Sequence, residues 1–303
     1  MNKELHLSIE ETFGQRLISQ RRMSGGSVNQ VYGITLERSG ECVLRQAPSS
    51  STIGAFPSWL TPWGLRREQS AIALLDGFRH LLPQTLAFHE SDDPESGDWV
   101  VQTLVSGQSA ASAMPAMGLD ESSHFMTQLG EMTRKLHGIK RASFGVPSHG
   151  PSFSSWSELV AHDCSGFLSD TRHASIPAKD VTSLIELVER HRDELDAVEP
   201  VLIHSDLSLE HVFVSRERDG YLISGLIDLE FARFADPLSD GLLHDTLASP
   251  NAPYASAFLK GYGDIETSGV RMEIARCLAR FWDVTDQARL RISVMDVPES
   301  DPV

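Results

Sequence analysis

Two aspartates that each follow an apolar run place the strongest constraint on how this chain folds. Asp206 follows the run at 201–203, and Asp228 follows the run at 222–227. Each run predicts a buried strand, so each aspartate is expected where a strand ends. Removing an unpaired carboxylate from water is costly, and a metal ion, a cation or hydrogen-bond donors usually compensate for it. The two carboxylates are therefore predicted to face one site.

The residues between the two aspartates predict how they meet. Val212, Phe213 and Val214 favour a short strand, Asp219-Gly220 favours a turn, and Tyr221 to Ile223 begins a returning strand. Because a hairpin folds back on itself, residues just before and just after it lie close together. We therefore expect Asp206 and Asp228 to be neighbours although 22 positions separate them in the sequence.

The order of motifs around this hairpin resembles two related groups of kinases. Protein kinases have an HRD-x-x-x-x-N loop, whose aspartate orients the nucleophilic hydroxyl, and a later DFG aspartate that holds magnesium. The similarity is closer to the aminoglycoside phosphotransferase family, with H-G-D-x-x-x-x-N, then I-D, then D-P-x-x-D. The matching elements here are His204-Ser205-Asp206, His211, Ile227-Asp228, and the segment from Asp236 to Asp240.

The resemblance implies a role for each matching residue. Asp206 would be the catalytic aspartate, His211 and Asp228 would be ligands of Mg²⁺, and Asp240 would brace the backbone of the catalytic loop. His211 stands where the family usually has asparagine, although members resembling the macrolide kinases also carry histidine there. Because Mg²⁺ prefers oxygen ligands, a hydrogen bond from His211 to the loop is the alternative to metal ligation. His204, in the same loop, is interpreted as structural.

The N-terminal region predicts a helix followed by a small-residue loop and antiparallel strands. Leu7, Ile9, Phe13 and Leu17 fall at near-helical spacing, and two or three strands follow between residues 28 and 45. The loop that leads into them consists of Ser24, Gly25, Gly26 and Ser27. Backbone N–H groups in such a loop can approach nucleotide phosphates, although the same residues also favour an ordinary turn.

The order of elements after that loop indicates a nucleotide site. In kinase-like folds a basic residue on the third strand contacts the phosphates and pairs with a helical glutamate. Arg45 and Glu68 occupy these positions, with arginine in place of the family's usual lysine. The alternative is that Arg66 or Arg67 pairs with Glu68 in a solvated surface patch.

Further along the chain, a predicted strand at 99–104 leads into a helical region. By resemblance, Gln102, Thr103 and Leu104 would approach the nucleotide base at the linker between two lobes. The segment 120–140 then predicts a helix with Asp120 or Ser122 as its N-cap. His137, near the end of this helix, is interpreted as structural.

The predicted fold class is α+β, a protein-kinase-like bilobal fold. Residues 1–105 would form a nucleotide-binding lobe with an antiparallel sheet, and residues 106–303 would form a mainly helical catalytic and substrate-binding lobe. The formal charge of −16 disfavours a nucleic-acid partner. No signal peptide or membrane-length apolar segment is recognised, so a cytoplasmic location without membrane association is expected. Three widely spaced cysteines support neither a disulfide framework nor a zinc site, and the sequence leaves the oligomeric state open.

Together these features predict a kinase that transfers the γ-phosphate of ATP or GTP to a hydroxyl of a small molecule. The acceptor would be an antibiotic such as an aminoglycoside or a macrolide. The alternatives are a metabolic kinase of choline, homoserine or an amino sugar, a nucleotide-binding protein with weak catalysis, and a metal-dependent hydrolase. Asp163, Glu230 and Asp283 are candidate contacts for a cationic acceptor.

Overall fold

The structure is a computed structural model, which describes residues 1–23, 29–48, 64–92, 97–173, 179–218 and 220–295. The side chains of residues 172–173 and 283–295 lie outside this description. Within these ranges the predicted α+β class is confirmed, with an antiparallel sheet in the N-terminal part and mostly helices in the C-terminal part.

The helices and strands alternate in the N-terminal third, and helices dominate after residue 109. The α-helices are α1 (Lys3–Phe13), α2 (Gly64–Ile72), α3 (Ala110–Ala113), α4 (Leu119–Leu136), α5 (Trp156–His173), α6 (Lys179–Arg190), α7 (Arg192–Asp196), α8 (Gly241–Ala248), α9 (Ala255–Tyr262) and α10 (Gly269–Met295). The strands are β1 (Leu17–Arg22), β2 (Gln30–Leu36), β3 (Gly40–Gln46), β4 (Thr85–His89), β5 (Trp99–Thr103), β6 (Gln108–Ser109), β7 (Phe144–Gly145), β8 (Ser152–Phe153), β9 (Val201–Ile203), β10 (Val212–Glu217), β11 (Gly220–Leu226) and β12 (Arg233–Ala235). Short 3₁₀ turns cover Asp76–Phe78, Met114–Ala116, Leu229–Phe231 and Pro237–Ser239.

The first helix is shorter than the sequence pattern predicts. It ends at Phe13 because Gly14 adopts a left-handed conformation (φ 57°) and its N–H closes the last turn on Glu10 and Glu11. Leu17, predicted as a helical residue, instead begins β1 and pairs with Leu36 of β2. The prediction was wrong here because sheet pairing outweighed the helical spacing of the apolar residues.

The five N-terminal strands form one antiparallel sheet in the order β1-β2-β3-β5-β4. The predicted β2–β3 hairpin is present, with seven residue pairs from Gln30↔Gln46 to Leu36↔Gly40. One face of the sheet packs with α1 around buried side chains such as Ile9, Ile34 and Leu44. The sheet thereby fixes the direction of Arg45, the penultimate residue of β3.

The predicted hairpin between the two aspartates is also present. Strand β10 pairs antiparallel with β11, and β6 adds a third strand on the other side. Strand β10 extends beyond the predicted Val214 to Glu217, whereas β11 ends at Leu226, one residue before the end of the predicted run. Asp219 of the predicted turn lies outside the described residues. A separate four-stranded sheet in the order β8-β7-β12-β9 carries the strand that leads to Asp206.

Helices α4 and α9 approach each other backbone to backbone. A Cβ atom added at Gly130 would lie 2.1 Å from the Phe258 carbonyl oxygen, and one at Gly261 would lie 1.9 Å from the Thr127 carbonyl oxygen. Only glycine fits at such positions. The N-cap of α4 is Gly118 rather than the predicted Asp120 or Ser122, because the Glu121 carboxylate accepts the Gly118 N–H (3.0 Å).

The buried apolar side chains of the C-terminal part form two clusters. One, called here the catalytic core, joins α4, α8 and α9 to the β10–β11 hairpin and to residues 71–81. The other, called here the helical core, joins α5, α6, α7 and α10 to the edge formed by Val201, Ile203 and Ala235. The two clusters share the sheet that contains β9 and β12.

Among the residues described, no helix combines the length and the apolar character needed to cross a membrane. The predicted boundary between residues 105 and 106 and the cytoplasmic location stay predictions.

Candidate active site

A buried carboxylate holds the loop that follows β9. Asp240 has no exposed surface, and its two oxygens accept hydrogen bonds from the backbone N–H groups of His204 (3.4 Å) and Ser205 (3.2 Å). His137 Nε2 lies 2.9 Å from the same carboxylate, and His137 Nδ1 lies 2.8 Å from the Tyr262 hydroxyl. Burial raises the pKa of Asp240, but the hydrogen bond from His137 and the nearby His204 outweigh it and hold the pKa below its usual value. The bracing position predicted for Asp240 is confirmed.

His204 joins the loop to the segment that carries Asp228. Its ring is fully buried, and Nε2 lies 3.0 Å from the backbone carbonyl of Ile227. Because a carbonyl oxygen only accepts, Nε2 carries the ring proton and Nδ1 accepts the Asp206 N–H (3.3 Å). The structural interpretation of His204 is confirmed by these contacts.

The backbone is left-handed at one residue in the loop after β9 and at one residue in the segment after β11. Ser205 has φ 68° and Asp228 has φ 66°. This conformation costs a non-glycine residue about 1–2 kcal/mol. The hydroxyl of Ser205 is buried and has no hydrogen-bond partner among the described residues. The loop is therefore strained at the position where the resembling family usually has glycine.

The two aspartates meet as predicted but are less buried than the burial argument implied. Atoms of Asp206, His211 and Asp228 that could bind a metal lie within 4.8 Å of one another. The Asp206 side chain is 49% exposed and that of Asp228 is 29% exposed. Asp206 lies three residues beyond the end of β9, where the loop has already reached solvent. Desolvation raises the pKa of Asp206, the neighbouring His211 and His204 oppose this rise, and Asp228 adds to it.

The hydrogen bonds of His211 determine which of its nitrogens faces the site. Nδ1 lies 2.7 Å from the Asp206 backbone carbonyl, so Nδ1 carries a proton. In a neutral ring the Nε2 lone pair is then free, and it lies 3.7 Å from the Asp228 carboxylate. Two facing acceptors attract a shared cation, either a proton or a metal ion. The two alternatives for His211 are thus compatible, because one nitrogen bonds the loop while the other remains available.

The donor atoms at this position fit a magnesium ion that completes its shell with other oxygens. Mg²⁺ is commonly held by one or two carboxylates together with water and substrate phosphates. Asp228 offers such a carboxylate, and His211 offers one nitrogen beside it. The residues present therefore fit the metal implied by the resemblance, with Asp228 as the stronger ligand.

Arg45 forms the predicted pair with Glu68 and also reaches the second aspartate. One guanidinium nitrogen contacts both oxygens of Glu68 (2.6 and 2.5 Å), and the other lies 2.8 Å from Asp228. Burial lowers the pKa of Arg45, but the surrounding carboxylates, led by Glu68 and Asp228, raise it above its usual value. The alternative of a solvated patch is wrong, because Glu68 is 1% exposed. The role of the pair in nucleotide binding stays a prediction.

Glu230 completes this group and is buried, in contrast to the acceptor contact predicted for it. It is 2% exposed, accepts a hydrogen bond from Asn29 Nδ2 (2.8 Å), and lies 3.9 Å from the Arg45 guanidinium. Burial and the nearby Asp228 raise the pKa of Glu230 to about 7, whereas Arg45 lowers it. A residue enclosed beside Arg45 is not a surface contact for a cationic acceptor. The sequence did contain a signal for this placement. Glu230 lies two residues after Asp228, and residues next to a metal ligand in the sequence commonly lie in the same site.

The other two predicted acceptor contacts are not supported as such. Asp163 of α5 is 2% exposed and is paired with Arg233 of β12 at 2.6 Å. An enclosed, neutralised carboxylate is a structural ion pair rather than an exposed contact. The side chain of Asp283 lies outside the described residues.

The remaining predicted nucleotide contacts have different outcomes. Ser24, Gly25, Gly26 and Ser27 lie outside the described residues. Gln102 and Thr103 lie at the end of β5, paired with β3, and Leu104 is the first residue beyond that strand and is 44% exposed. Their approach to a nucleotide base stays a prediction.

The fold and this group of residues define a kinase-like phosphotransferase. The sequence matches the family model APH, described as "Phosphotransferase enzyme family", over residues 19–291. The chain belongs to this family, and it is a phosphotransferase with a hydroxyl group as acceptor.

Solved structures of aminoglycoside phosphotransferases share the fold at low sequence identity. A thermostable mutant of APH(4)-Ia in its apo form is 13% identical with a TM-score of 0.63, covering 95% of this chain and 97% of that one. A GDP complex of a mutant aminoglycoside 2'-phosphotransferase-IIIa is 18% identical, with a TM-score of 0.63 and coverages of 96% and 92%. The streptomycin–ATP ternary complex of APH(2")-IIa is 13% identical, with a TM-score of 0.61 and coverages of 98% and 95%. No curated protein sequence matches the chain significantly.

Proposed function

We propose that the protein transfers the γ-phosphate of ATP or GTP to a hydroxyl group of an antibiotic. The observation that supports this most is the convergence of Asp206, His211 and Asp228 within 4.8 Å, beside the Arg45–Glu68 pair. Phosphoryl transfer requires a group that orients the acceptor hydroxyl and a second group that binds the phosphates through magnesium. Two carboxylates with different surroundings supply these two functions.

Asp206 is assigned to the acceptor hydroxyl. Its side chain is half exposed, so an acceptor can reach it, and the loop that carries it is fixed by Asp240 and His204. It would accept a hydrogen bond from the hydroxyl, orient the oxygen towards the γ-phosphorus, and take the proton late in the reaction. A raised pKa makes the carboxylate a better acceptor for that proton.

Asp228, His211 and Arg45 are assigned to the phosphates. Asp228 and the Nε2 nitrogen of His211 would hold Mg²⁺, which supplies positive charge to the terminal phosphates when bound. Arg45, fixed by Glu68, carries a permanent charge and a forked set of donors that match phosphate oxygens. These charges stabilise the transferring phosphoryl group.

The antibiotic class of the acceptor is supported by the structures of similar fold. These structures include complexes with GDP, with streptomycin and ATP, and with kanamycin and GDP. Histidine at position 211 adds the resemblance to macrolide kinases. We therefore include aminoglycosides and macrolides as the first acceptors to test.

A panel of acceptors tests the proposal directly. Aminoglycosides, macrolides, choline, homoserine and amino sugars are each incubated with Mg²⁺ and either ATP or GTP, and the products are weighed by mass spectrometry. We expect a mass gain of one phosphoryl group on an antibiotic. Phosphorylation of choline, homoserine or an amino sugar alone would replace the antibiotic assignment with a metabolic one. Nucleotide binding without phosphorylation of any acceptor would contradict the proposed phosphoryl-transfer activity.

Replacement of the proposed catalytic carboxylate tests its assignment. Asp206→Asn should lower turnover about 10²–10⁴-fold while nucleotide affinity stays within a few-fold, since the carboxylate contacts the acceptor rather than the nucleotide. Asp76→Asn, at a side chain that is 80% exposed on the N-terminal part, is the control. Wild-type turnover in Asp206→Asn would disprove the role.

A further inference from the structure

Arg45 contacts Asp228, the proposed ligand of the metal ion. One of its guanidinium nitrogens is fixed by both oxygens of Glu68, while the other lies 2.8 Å from Asp228. A lysine would have to reach both carboxylates from a single ammonium nitrogen, whereas the guanidinium uses a separate nitrogen for each. Arginine at this position therefore competes with a metal ion for Asp228.

A third carboxylate lies beside the same guanidinium nitrogen. Glu230 Oε2 is 3.9 Å from the nitrogen that contacts Asp228. A charge-assisted hydrogen bond is about 2.7–2.9 Å long, so a movement of about 1 Å would create one. Because Glu68 fixes the other nitrogen, rotation of the guanidinium about that contact moves its free end from Asp228 towards Glu230.

The contacts of Glu230 hold its carboxylate where the rotated guanidinium of Arg45 would reach it. Asn29 donates to its carboxylate (2.8 Å), and Arg67 Nε donates to its backbone carbonyl (3.2 Å). A Cβ atom at Gly64 would lie 2.8 Å from Glu230 Oε2, so the glycine allows α2 to close over the carboxylate. A carboxyl group that is 2% exposed requires such partners.

We infer that Glu230 is a positioning residue that takes over the guanidinium of Arg45 when Asp228 turns to the metal. This inference rests on the proposed function, in which Asp228 binds Mg²⁺. Without Glu230, Arg45 would have Asp228 as its only second carboxylate, and the metal would compete against an ion pair that has no replacement. Glu230 thus determines how readily magnesium is accepted.

The test measures the Mg²⁺ concentration needed for half-maximal nucleotide binding, without an acceptor. Glu230→Gln preserves the side-chain shape and an acceptor for Asn29 but removes the charge. We expect it to raise the required Mg²⁺ concentration about tenfold, as losses next to metal ligands commonly do. Asp163→Asn, which removes another carboxylate that is 2% exposed and paired with arginine, is the matched control and should leave the requirement unchanged.

A second background separates transfer through Arg45 from a simple loss of negative charge. Arg45→Lys removes the second guanidinium nitrogen, which contacts Asp228 and lies near Glu230, so adding Glu230→Gln should change the Mg²⁺ requirement by less than about twofold. A tenfold change in both backgrounds would overturn the inference, and so would a wild-type requirement in the single variant. Thermal unfolding of each variant confirms that the protein is folded.

Asp228→Asn distinguishes failure of the inference from failure of the proposed function. If this variant loses the Mg²⁺ dependence of nucleotide binding and Glu230→Gln retains the wild-type requirement, only the inference fails. If Asp228→Asn keeps the wild-type dependence, Asp228 is not the metal ligand, and both fail.

Discussion

Arg45 and Arg271 are both largely buried arginines held by carboxylates, but their charges are balanced differently. Arg271 forms two parallel hydrogen bonds with Asp236 (2.8 and 2.7 Å), so one positive charge meets one negative charge. Arg45 has Glu68 and Asp228 in direct contact and Glu230 at 3.9 Å. Arg45 and the neighbouring Arg67 together carry fewer charges than these three carboxylates, and the excess negative charge indicates a site completed by a cation. We therefore assign the Arg271–Asp236 pair to the stability of the fold and the group around Arg45 to the binding of a cation.

The largest effect is expected when a charge is removed from the group of Arg45, Glu68, Asp228 and Glu230. Asp228→Asn should lower phosphoryl transfer about a thousandfold or more, equivalent to about 4 kcal/mol of activation free energy, because a metal ligand is lost. The free energy of unfolding should change by less than about 1 kcal/mol, since Arg45 keeps Glu68 and the Asp228 side chain is partly exposed. Steady-state kinetics and urea unfolding measure the two quantities. A large loss of stability with retained activity would reverse the assignment.

The balanced pair should respond in the opposite way. Asp236→Asn is expected to lower the free energy of unfolding by about 3 kcal/mol, because it leaves the Arg271 guanidinium without its anion next to a side chain with no exposed surface. Activity per folded molecule should fall much less than in Asp228→Asn. Urea unfolding followed by circular dichroism measures the loss. The double variant Asp236→Asn/Arg271→Met should recover part of the stability, and no recovery would contradict a simple ion pair.

Asp240 gives a third case, in which histidines replace arginine as partners of a buried carboxylate. Because the folded-state pKa lies below the usual value, its contribution to stability is present above pH 4 and is lost as the pH falls through the folded-state pKa. Asp240→Asn should therefore be less stable than wild type by about 2 kcal/mol at pH 7. The difference should narrow below about pH 4. Unfolding of both proteins between pH 3 and 7 measures it, and a difference independent of pH would contradict the sign.

The smallest expected effect concerns the strained residue of the catalytic loop. Ser205→Gly removes both the left-handed strain and the buried unpaired hydroxyl, so it should raise the free energy of unfolding by about 1 kcal/mol after the greater flexibility of glycine in the unfolded chain is included. Ser205→Ala removes the hydroxyl but keeps the strain, and it should gain less. Differential scanning calorimetry can compare the two. Equal gains in both would show that backbone strain is not the cause.

The sequence was sufficient for the parts of the site that depend on strand ends and on motif order. The convergence of Asp206 and Asp228 was predictable because a hairpin between them forces it, and the pairing of Arg45 with Glu68 followed from their order in the family. The exposure of Asp206 was not predictable, since it depends on how far the loop extends beyond β9. Strand pairing of Leu17 with Leu36 was missed for a similar reason, because contacts distant in sequence outweighed local helical spacing.

Charge partners distant in sequence were the least predictable feature. Glu230 contacts Asn29 across 201 positions, and Asp163 contacts Arg233 across 70. Sequence spacing gives no information about such pairs, so both acids were taken as exposed contacts for an acceptor. Both side chains are 2% exposed, so they are partners of buried groups and not exposed contacts for an acceptor.

The catalytic loop is held by both apolar clusters of the C-terminal part. Asp240, His137 and Tyr262 connect the loop to α4 and α9, which belong to the catalytic core. The helical core packs against β9, the strand that leads into the loop, through Val201 and Ile203. Two separate packing arrangements thus support one loop, so a cavity opened in either of them is expected to displace Asp206.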